Sequence, residues 1–167
     1  MPDRAIIEAA AALIKLCVQQ QLTIATAESC TGGLVAGALT EVPGSSAVVD
    51  RGFITYSNAA KQQMLGVSAE ILRDHGAVSR QTAEAMVRGA LGKANADVVV
   101  AITGIAGPGG GSADKPVGLV HFAVGSRSGA LNAVEMRYGD IGRAEVRHKS
   151  VLQALAMLKD LAGKTAV

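Results

Sequence analysis

Three short stretches of this chain hold residues whose types and spacing could do chemistry. In Thr26-Ala-Glu-Ser-Cys-Thr-Gly-Gly33, two hydroxyls and a thiol, Ser29, Thr31 and Cys30, stand just before a glycine pair. At a strand-to-helix junction such a segment sets a nucleophile beside unpaired helix N–H groups that could hold an oxyanion. Gly32 and Gly33 would let the backbone approach a substrate without side-chain interference. The same residues also suit an N-cap, Ser29 or Thr31, followed by glycines that serve helix–sheet packing. Taken alone, the segment leaves both readings open.

A serine nucleophile needs a base, and none of the three histidines recommends itself. His75 precedes Gly76 like a helix C-terminal residue, His121 stands between Val120 and Phe122, and His148 lies in the basic run Arg143 to Lys149, which reads as a solvated helix face. A desolvated lysine of lowered pKa is the other activator. Tyr56-Ser-Asn-Ala-Ala-Lys61 offers one, with Tyr56 closing a strand and Lys61 about one turn into the next helix. A lone helical lysine is usually a solvated one. Two such junctions, however, are expected side by side at the carboxyl edge of an open sheet, where ligands bind.

The third stretch, Gly104-Ile-Ala-Gly-Pro-Gly-Gly-Gly-Ser112, is the most glycine-dense in the chain. It lacks the Gly-Lys-Ser/Thr of a phosphate-binding P-loop, and it leads through Asp114-Lys-Pro116 to a strand instead of the helix a dinucleotide fingerprint requires. A nest of backbone N–H groups for an anion, with Lys115 or Arg51 nearby, is one reading, and a flexible surface connection is the other. No His-x-His, His-Glu-x-x-His or Cys-x-x-Cys spacing points to a metal.

Elements that would position these residues follow from apolar spacing and turn chemistry. Helices are expected over 5–21, 34–42, 57–65, 68–74, 79–94 and 142–161, and strands over 22–27, 47–56, 97–103, 117–124 and 131–137. Ser57, Ser68 and Ser79 read as N-caps and Gly66 as a helix stop. This succession predicts an α/β fold, a three-layer α/β/α sandwich with a mixed sheet. A length of 167 residues with 49% apolar content predicts one domain, 1–167, with an ordinary core. The 16 basic residues against 14 acidic ones, with only four aromatics, argue against a nucleic-acid binder. Apolar runs such as Val98 to Ile102 are too short to span a bilayer, and Cys17 and Cys30 suit free thiols in a reducing cytoplasm. Alanine-rich helices at both ends could pair in a homo-oligomer, a dimer for instance.

Several of these stretches, in register from about residue 5 to 160, together resemble one family. Thr26-Ala-Glu-Ser-Cys-Thr-Gly-Gly33, Gly44-Ser-Ser46, Arg51-Gly-Phe-Ile-Thr-Tyr-Ser-Asn58 with Lys61, His75-Gly-Ala-Val-Ser79, Ile102-Thr-Gly-Ile-Ala-Gly-Pro108 and Lys115-Pro-Val-Gly118 look like the CinA C-terminal domain family. Its characterised members are nicotinamide-nucleotide amidohydrolases. The resemblance implies hydrolysis of the carboxamide of nicotinamide mononucleotide to nicotinic acid mononucleotide and ammonia, in pyridine nucleotide salvage. It also implies a serine nucleophile helped by lysine and tyrosine, which fall on Ser29, Lys61 and Tyr56. Longer relatives carry an N-terminal molybdopterin-binding-like domain linked to competence, and its properties are not carried over.

The expectation is therefore a cytoplasmic amidase that needs neither metal nor cofactor and whose partner is a small nucleotide. Lys61 takes the Ser29 proton, and Tyr56 relays it or hydrogen-bonds the nucleophile. Backbone N–H groups of Cys30, Thr31, Gly32 and Gly33 hold the oxyanion, at about 3 kcal/mol per donor. Arg51 with Gly104, Gly107, Gly109 and Gly110 holds the 5′-phosphate. The competing classes are a non-catalytic, competence-associated binding domain and an amidase of the same fold acting on another small amide.

Overall fold

A computed structural model describes residues 3–165. The first helix, α1 (Arg4–Gln20), buries Ile6, Ala10, Leu13, Ile14 and Cys17, spacings of three and four that set them on one stripe. Asp3 caps it, its side chain accepting from the Ile6 N–H at 3.0 Å. The next strand, β1 (Ile24–Glu28), is buried at every position, as a strand flanked on both sides and both faces must be. Helix α2 (Leu34–Thr40) returns over the sheet, and a 3-10 turn at Ser45–Ala47 leads into β2 (Val49–Ile54). The strand expected over 47–56 is shorter, because Ser45–Ala47 winds into the turn and regular pairing ends at Ile54.

Three helices follow: α3 (Asn58–Leu65), α4 (Ala69–His75) and α5 (Arg80–Lys93). Their expected caps are in place, with the Ser57, Ser68 and Ser79 side chains accepting from the N–H groups of Ala60, Ile71 and Thr82. Each such cap stabilises its helix by about 1 kcal/mol. Gly66 ends α3 at φ +66°, the left-handed conformation expected of a glycine stop. The remaining elements are β3 (Val98–Gly104), β4 (Leu119–Ser126), β5 (Leu131–Arg137) and α6 (Arg143–Lys164).

The five strands form one mixed sheet in the order β2-β1-β3-β4-β5. β2, β1 and β3 run parallel, while β4 and β5 are antiparallel. The chain leaves β1 for β2 on one side and reaches β3 on the other, so the strand order switches direction at β1. Crevices outside the carboxyl ends of strands form at such a switch.

Alternation of side chains across the sheet divides the core in two. Ile24, Val98, Val100, Ile102, Val120, Phe122 and Val124 pack with α1, α2 and α6. On the other face the strand residues are smaller, Ala25, Ala27, Val99, Ala101 and Ala123, and they pack under α5 and the end of α3. Helices on both faces of a mixed sheet make this the α/β fold expected. Mid-helix Gly89 of α5 has a specific use: a Cβ there would sit 1.9 Å from the Leu65 carbonyl oxygen. Only glycine lets α5 and α3 approach this closely. The contact fixes the height of α3, which carries Lys61.

Candidate active site

At the carboxyl end of β1 the sheet ladder continues one residue past the strand. The Ser29 N–H donates to the Ile102 carbonyl at 2.9 Å, and the Thr55 N–H donates to the Glu28 carbonyl at 2.9 Å. Ser29 is thus held as rigidly as a strand residue, and alternation turns its side chain to the α3 face, opposite Glu28. There the Lys61 Nζ lies 3.1 Å from Ser29 Oγ and donates to the Thr55 carbonyl at 2.8 Å. Lys61 is only 1% exposed and Ser29 8%. Both partners of the amine are neutral, and burial pulls the Lys61 pKa below the ordinary lysine value. The arrangement joins a rigid hydroxyl to an amine biased toward its neutral form at hydrogen-bond distance, the geometry that a nucleophile and its base require.

The turn that follows, residues 29–33, is clamped from the α2 and α6 side. Glu28 is completely buried, and its carboxylate accepts from the Val35 N–H at 2.9 Å and the Ala36 N–H at 3.1 Å. The free donors and positive end of α2 are therefore already satisfied by a carboxylate, and the helix terminus is not open to a substrate. Arg147, on α6, donates from Nε to the Cys30 carbonyl at 3.1 Å and reaches the Thr31 carbonyl from Nη2 at 3.4 Å. Of the turn's amides, those of Ser29 and Gly32 are spent on Ile102 and Ser29 carbonyls. Among the described residues, the Cys30 and Thr31 N–H groups have no backbone or neighbouring side-chain acceptor. Burial pushes the Cys30 thiol up to about 11, so it stays protonated at neutral pH.

Above the pair opens a cleft of about 260 Å³, lined by Ser29, Cys30, Tyr56 and Lys61 on one side. Across it stand Ala77, Val78, Thr103 and the loop through Gly104, Gly107, Gly109 and Gly110. The expected glycines are thus brought to the site. Gly107 and Gly110 have positive φ, +84° and +87°, and a Cβ on Gly107 would meet the Val117 side chain at 2.5 Å. Thr31, Gly32 and Gly33 belong to the turn but do not line the cleft; Gly33 borders a separate groove between α2 and α6. Neither His121 nor His148 lines the cleft, and His148 pairs with Asp3.

Tyr56 lies at the cleft mouth, 59% exposed, and its hydroxyl accepts from Arg143 Nη2 at 2.9 Å; it makes no hydrogen bond to Ser29 or Lys61. Arg143 itself, first residue of α6, also donates to the Gly107 carbonyl at 2.9 Å and tethers the glycine loop. The structure does not bring Arg51 here. Arg51 pairs in register with Ala25, three residues short of the Glu28 end of β1, and its guanidinium binds Asp50 and the Lys93 carbonyl toward the other end of the sheet. Lys115 is likewise engaged, donating to the His75 carbonyl at 2.6 Å. The cation that faces the cleft beside Lys61 is Arg143. Sequence reasoning placed it, with Arg147, on a solvated face, and missed the cap by Glu28. Their four-residue spacing, at the start of a helix whose N-terminus returns to the sheet edge, is the one signal that could have raised them. Among the described residues no cluster of three or more histidine, cysteine or acidic side chains could hold a metal ion.

The family model described as "CinA C-terminal domain" matches residues 7–162. This chain belongs to that family. It is 51% identical over 133 residues to the nicotinamide-nucleotide amidohydrolase PncC of Enterobacter agglomerans, covering 79% of this chain and 80% of that one. It is 47% identical over 150 residues to a CinA-like protein of Synechococcus sp. (strain CC9902), covering 90% of this chain but 36% of the relative. The chain thus spans about a third of that longer relative. The crystal structure of competence/damage inducible protein CihA from Agrobacterium tumefaciens superposes with a TM-score of 0.95 at 58% identity, over 96% of this chain and 98% of that one.

Proposed function

We propose that this chain is a serine amidohydrolase that converts nicotinamide mononucleotide to nicotinic acid mononucleotide and ammonia. The observation that carries the reading is the buried Lys61 amine, 3.1 Å from Ser29 Oγ and, among the described residues, without a carboxylate partner. A neutral amine that donates to the Thr55 carbonyl turns its lone pair toward the Ser29 hydroxyl. Ser29 Oγ attacks the carboxamide carbon as Lys61 takes its proton, and the carbonyl electrons move to the oxygen. Free N–H groups of the 29–33 turn stabilise that oxyanion, an effect worth roughly 3 kcal/mol per donor. The Lys61 ammonium returns the proton to the departing nitrogen, which leaves as ammonia. Water then attacks the acyl-enzyme with Lys61 again as base, releasing the carboxylic acid and restoring the Ser29 hydroxyl.

Tyr56 acts on the substrate side of the cleft. Because its oxygen accepts from Arg143, its own O–H is free to donate to a bound ligand. The phosphate is assigned to Arg143 and the amides of the 104–110 loop in place of Arg51, since only Arg143 of the two arginines lines the cleft. The relative named as a nicotinamide-nucleotide amidohydrolase supports the substrate. The test is ammonia release from nicotinamide mononucleotide, nicotinamide riboside and nicotinamide assayed side by side. Turnover is expected for the mononucleotide, and no release from any of the three refutes the reading.

A further inference from the structure

Residues 76–78, between α4 and α5, contribute Ala77 and Val78 to the wall of the cleft. Among the described residues these two make no backbone–backbone hydrogen bond, so side chains must hold the segment. Three consecutive carbonyls accept from side chains. Gly76 accepts from Ser79 Oγ at 2.9 Å and Thr82 Oγ1 at 2.7 Å, and Ala77 accepts from Thr103 Oγ1 at 2.8 Å. Those donors belong to the scaffold, at the start of α5 and the end of β3. The His75 carbonyl, left over at the end of α4, accepts from Lys115 Nζ at 2.6 Å. That donor comes from the far limb of the glycine-rich loop, whose Gly104, Gly107, Gly109 and Gly110 line the same cleft.

Both ends of the contact are built for it. Lys115 is fixed on a turn in which the Ser112 N–H donates to the Lys115 carbonyl at 2.8 Å and the Lys115 N–H donates to Ser112 Oγ at 3.1 Å. Its limb packs back on the loop's glycines: a Cβ on Gly111 would meet the Val117 nitrogen at 2.8 Å, and one on Gly107 the Val117 side chain at 2.5 Å. On the other side, Gly76 has φ +78° and ψ 170°, a conformation reserved for glycine, and a Cβ there would stand 2.8 Å from Lys115 Nζ. A positive charge beside the last carbonyl of a helix is also favourable. The loop is therefore strapped twice, by Arg143 to Tyr56 and by Lys115 to the segment that carries Ala77 and Val78.

We propose that Lys115, which does not itself line the cleft, is a positioning residue for substrate binding: it straps the glycine loop to the 75–78 wall and so fixes the width of the cleft they share. The inference rests on this cleft being the substrate site, as proposed above. Lys115 bonds neither Ser29 nor Lys61, so losing the strap falls on binding and leaves the nucleophile and its base in place. A loss of that kind shows in KM.

The test compares Lys115→Met and Lys115→Arg with wild type by ammonia release from nicotinamide mononucleotide, by labelling of Ser29 with a small fluorophosphonate, and by hydrogen exchange. The contact is exposed, so replacing Lys115 leaves the core untouched. Methionine keeps the stem and removes the donor; it is expected to raise KM roughly tenfold, with kcat and the labelling rate within about twofold. Exchange is expected to speed up in 75–79 and 104–112 together, while β1 and α3 keep wild-type rates. Arginine keeps a cationic donor and is expected to recover part of the loss. A merely structural role would lower labelling along with turnover. Unchanged KM, unchanged exchange in either segment, or an equal loss of labelling overturns the proposal and leaves the amidase reading standing. If wild type labels at Ser29 but releases no ammonia, the substrate assignment alone fails, and exchange decides the role of Lys115. If wild type does not label, the serine reading fails, and exchange again decides the strap.

Discussion

Replacing Lys61 tests whether its amine works as a base or only as a positive charge. Arginine keeps the charge but does not deprotonate at any working pH. It must also fit a larger head where Nζ now lies 2.8 Å from the Thr55 carbonyl and 3.1 Å from Ser29 Oγ at 1% exposure. A positioned general base contributes about 10²- to 10⁴-fold, so Lys61→Arg and Lys61→Met are both expected to lose at least about a hundredfold in kcat. Residues that act as a unit lose activity non-additively, so Ser29→Ala with Lys61→Met should be little worse than Ser29→Ala alone. In wild type, kcat/KM should rise with pH and level off below 10.5, because burial lowers the pKa of the amine that must be neutral. The same shift has a sign in stability: between the folded and unfolded pKa values the unfolded chain binds the extra proton, so folding stability rises with pH across that window. Urea denaturation over a pH series should show this rise in wild type and lose it in Lys61→Met. An arginine variant that keeps a tenth or more of the rate, or a flat pH profile, refutes the base role.

Ser29→Ala should abolish turnover by at least about a thousandfold, while Cys30→Ala keeps most of it, because the buried thiol stays protonated; steady-state kinetics and alkylation of the Ser29→Ala protein separate the two nucleophiles. Glu28→Gln keeps one acceptor but sets an NH₂ group against an N–H of α2, and should lower unfolding stability by about 1.5–3 kcal/mol with an unchanged urea m-value. Gly110→Val puts a β-branched residue at φ +87° in the cleft wall, whereas Gly109 has open space and no positive φ. Valine at 110 should therefore lower the ratio of catalytic efficiencies for nucleotide over riboside more than valine at 109, and an unchanged ratio removes the loop from phosphate binding.

What could be read from the chain was what is local. The Ser57, Ser68 and Ser79 caps, the Gly66 stop and the buried runs of β1 and β3 each depend on neighbours within a few residues, and each is found where the residue types put it. Ser29 and Lys61 meet because two adjacent parallel strands end level, Glu28 opposite Ile54, a consequence of strand-to-helix junctions that the sequence does reveal. Arg51 went astray for the same geometric reason: a residue in mid-strand cannot reach the carboxyl edge, and the true strand bounds decide which residues are mid-strand. Arg143 and Arg147 were illegible because a basic run with four-residue spacing is what a solvated helix face also looks like. Their contacts to Tyr56, Gly107, Cys30 and Thr31 span 36 to 117 residues of chain, as no local pattern can.

The period of two along β1 also explains how a buried carboxylate and a buried amine coexist at one strand end without forming an ion pair. Glu28 and Ser29 are consecutive, so one side chain goes to the α2 face and the next to the α3 face. On its face the Glu28 carboxylate is satisfied by two helix N–H groups, which hold its charge in place. On the other face, among the described residues, Lys61 finds only a hydroxyl and a carbonyl. Had the carboxylate pointed the other way, an ion pair would have fixed the lysine as an ammonium and removed the base. Desolvation without a counterion costs stability, and that cost is what keeps the amine ready to accept the serine proton. On the proposed mechanism, the sheet is therefore the partition that separates a structural carboxylate from the neutral amine that serves as base.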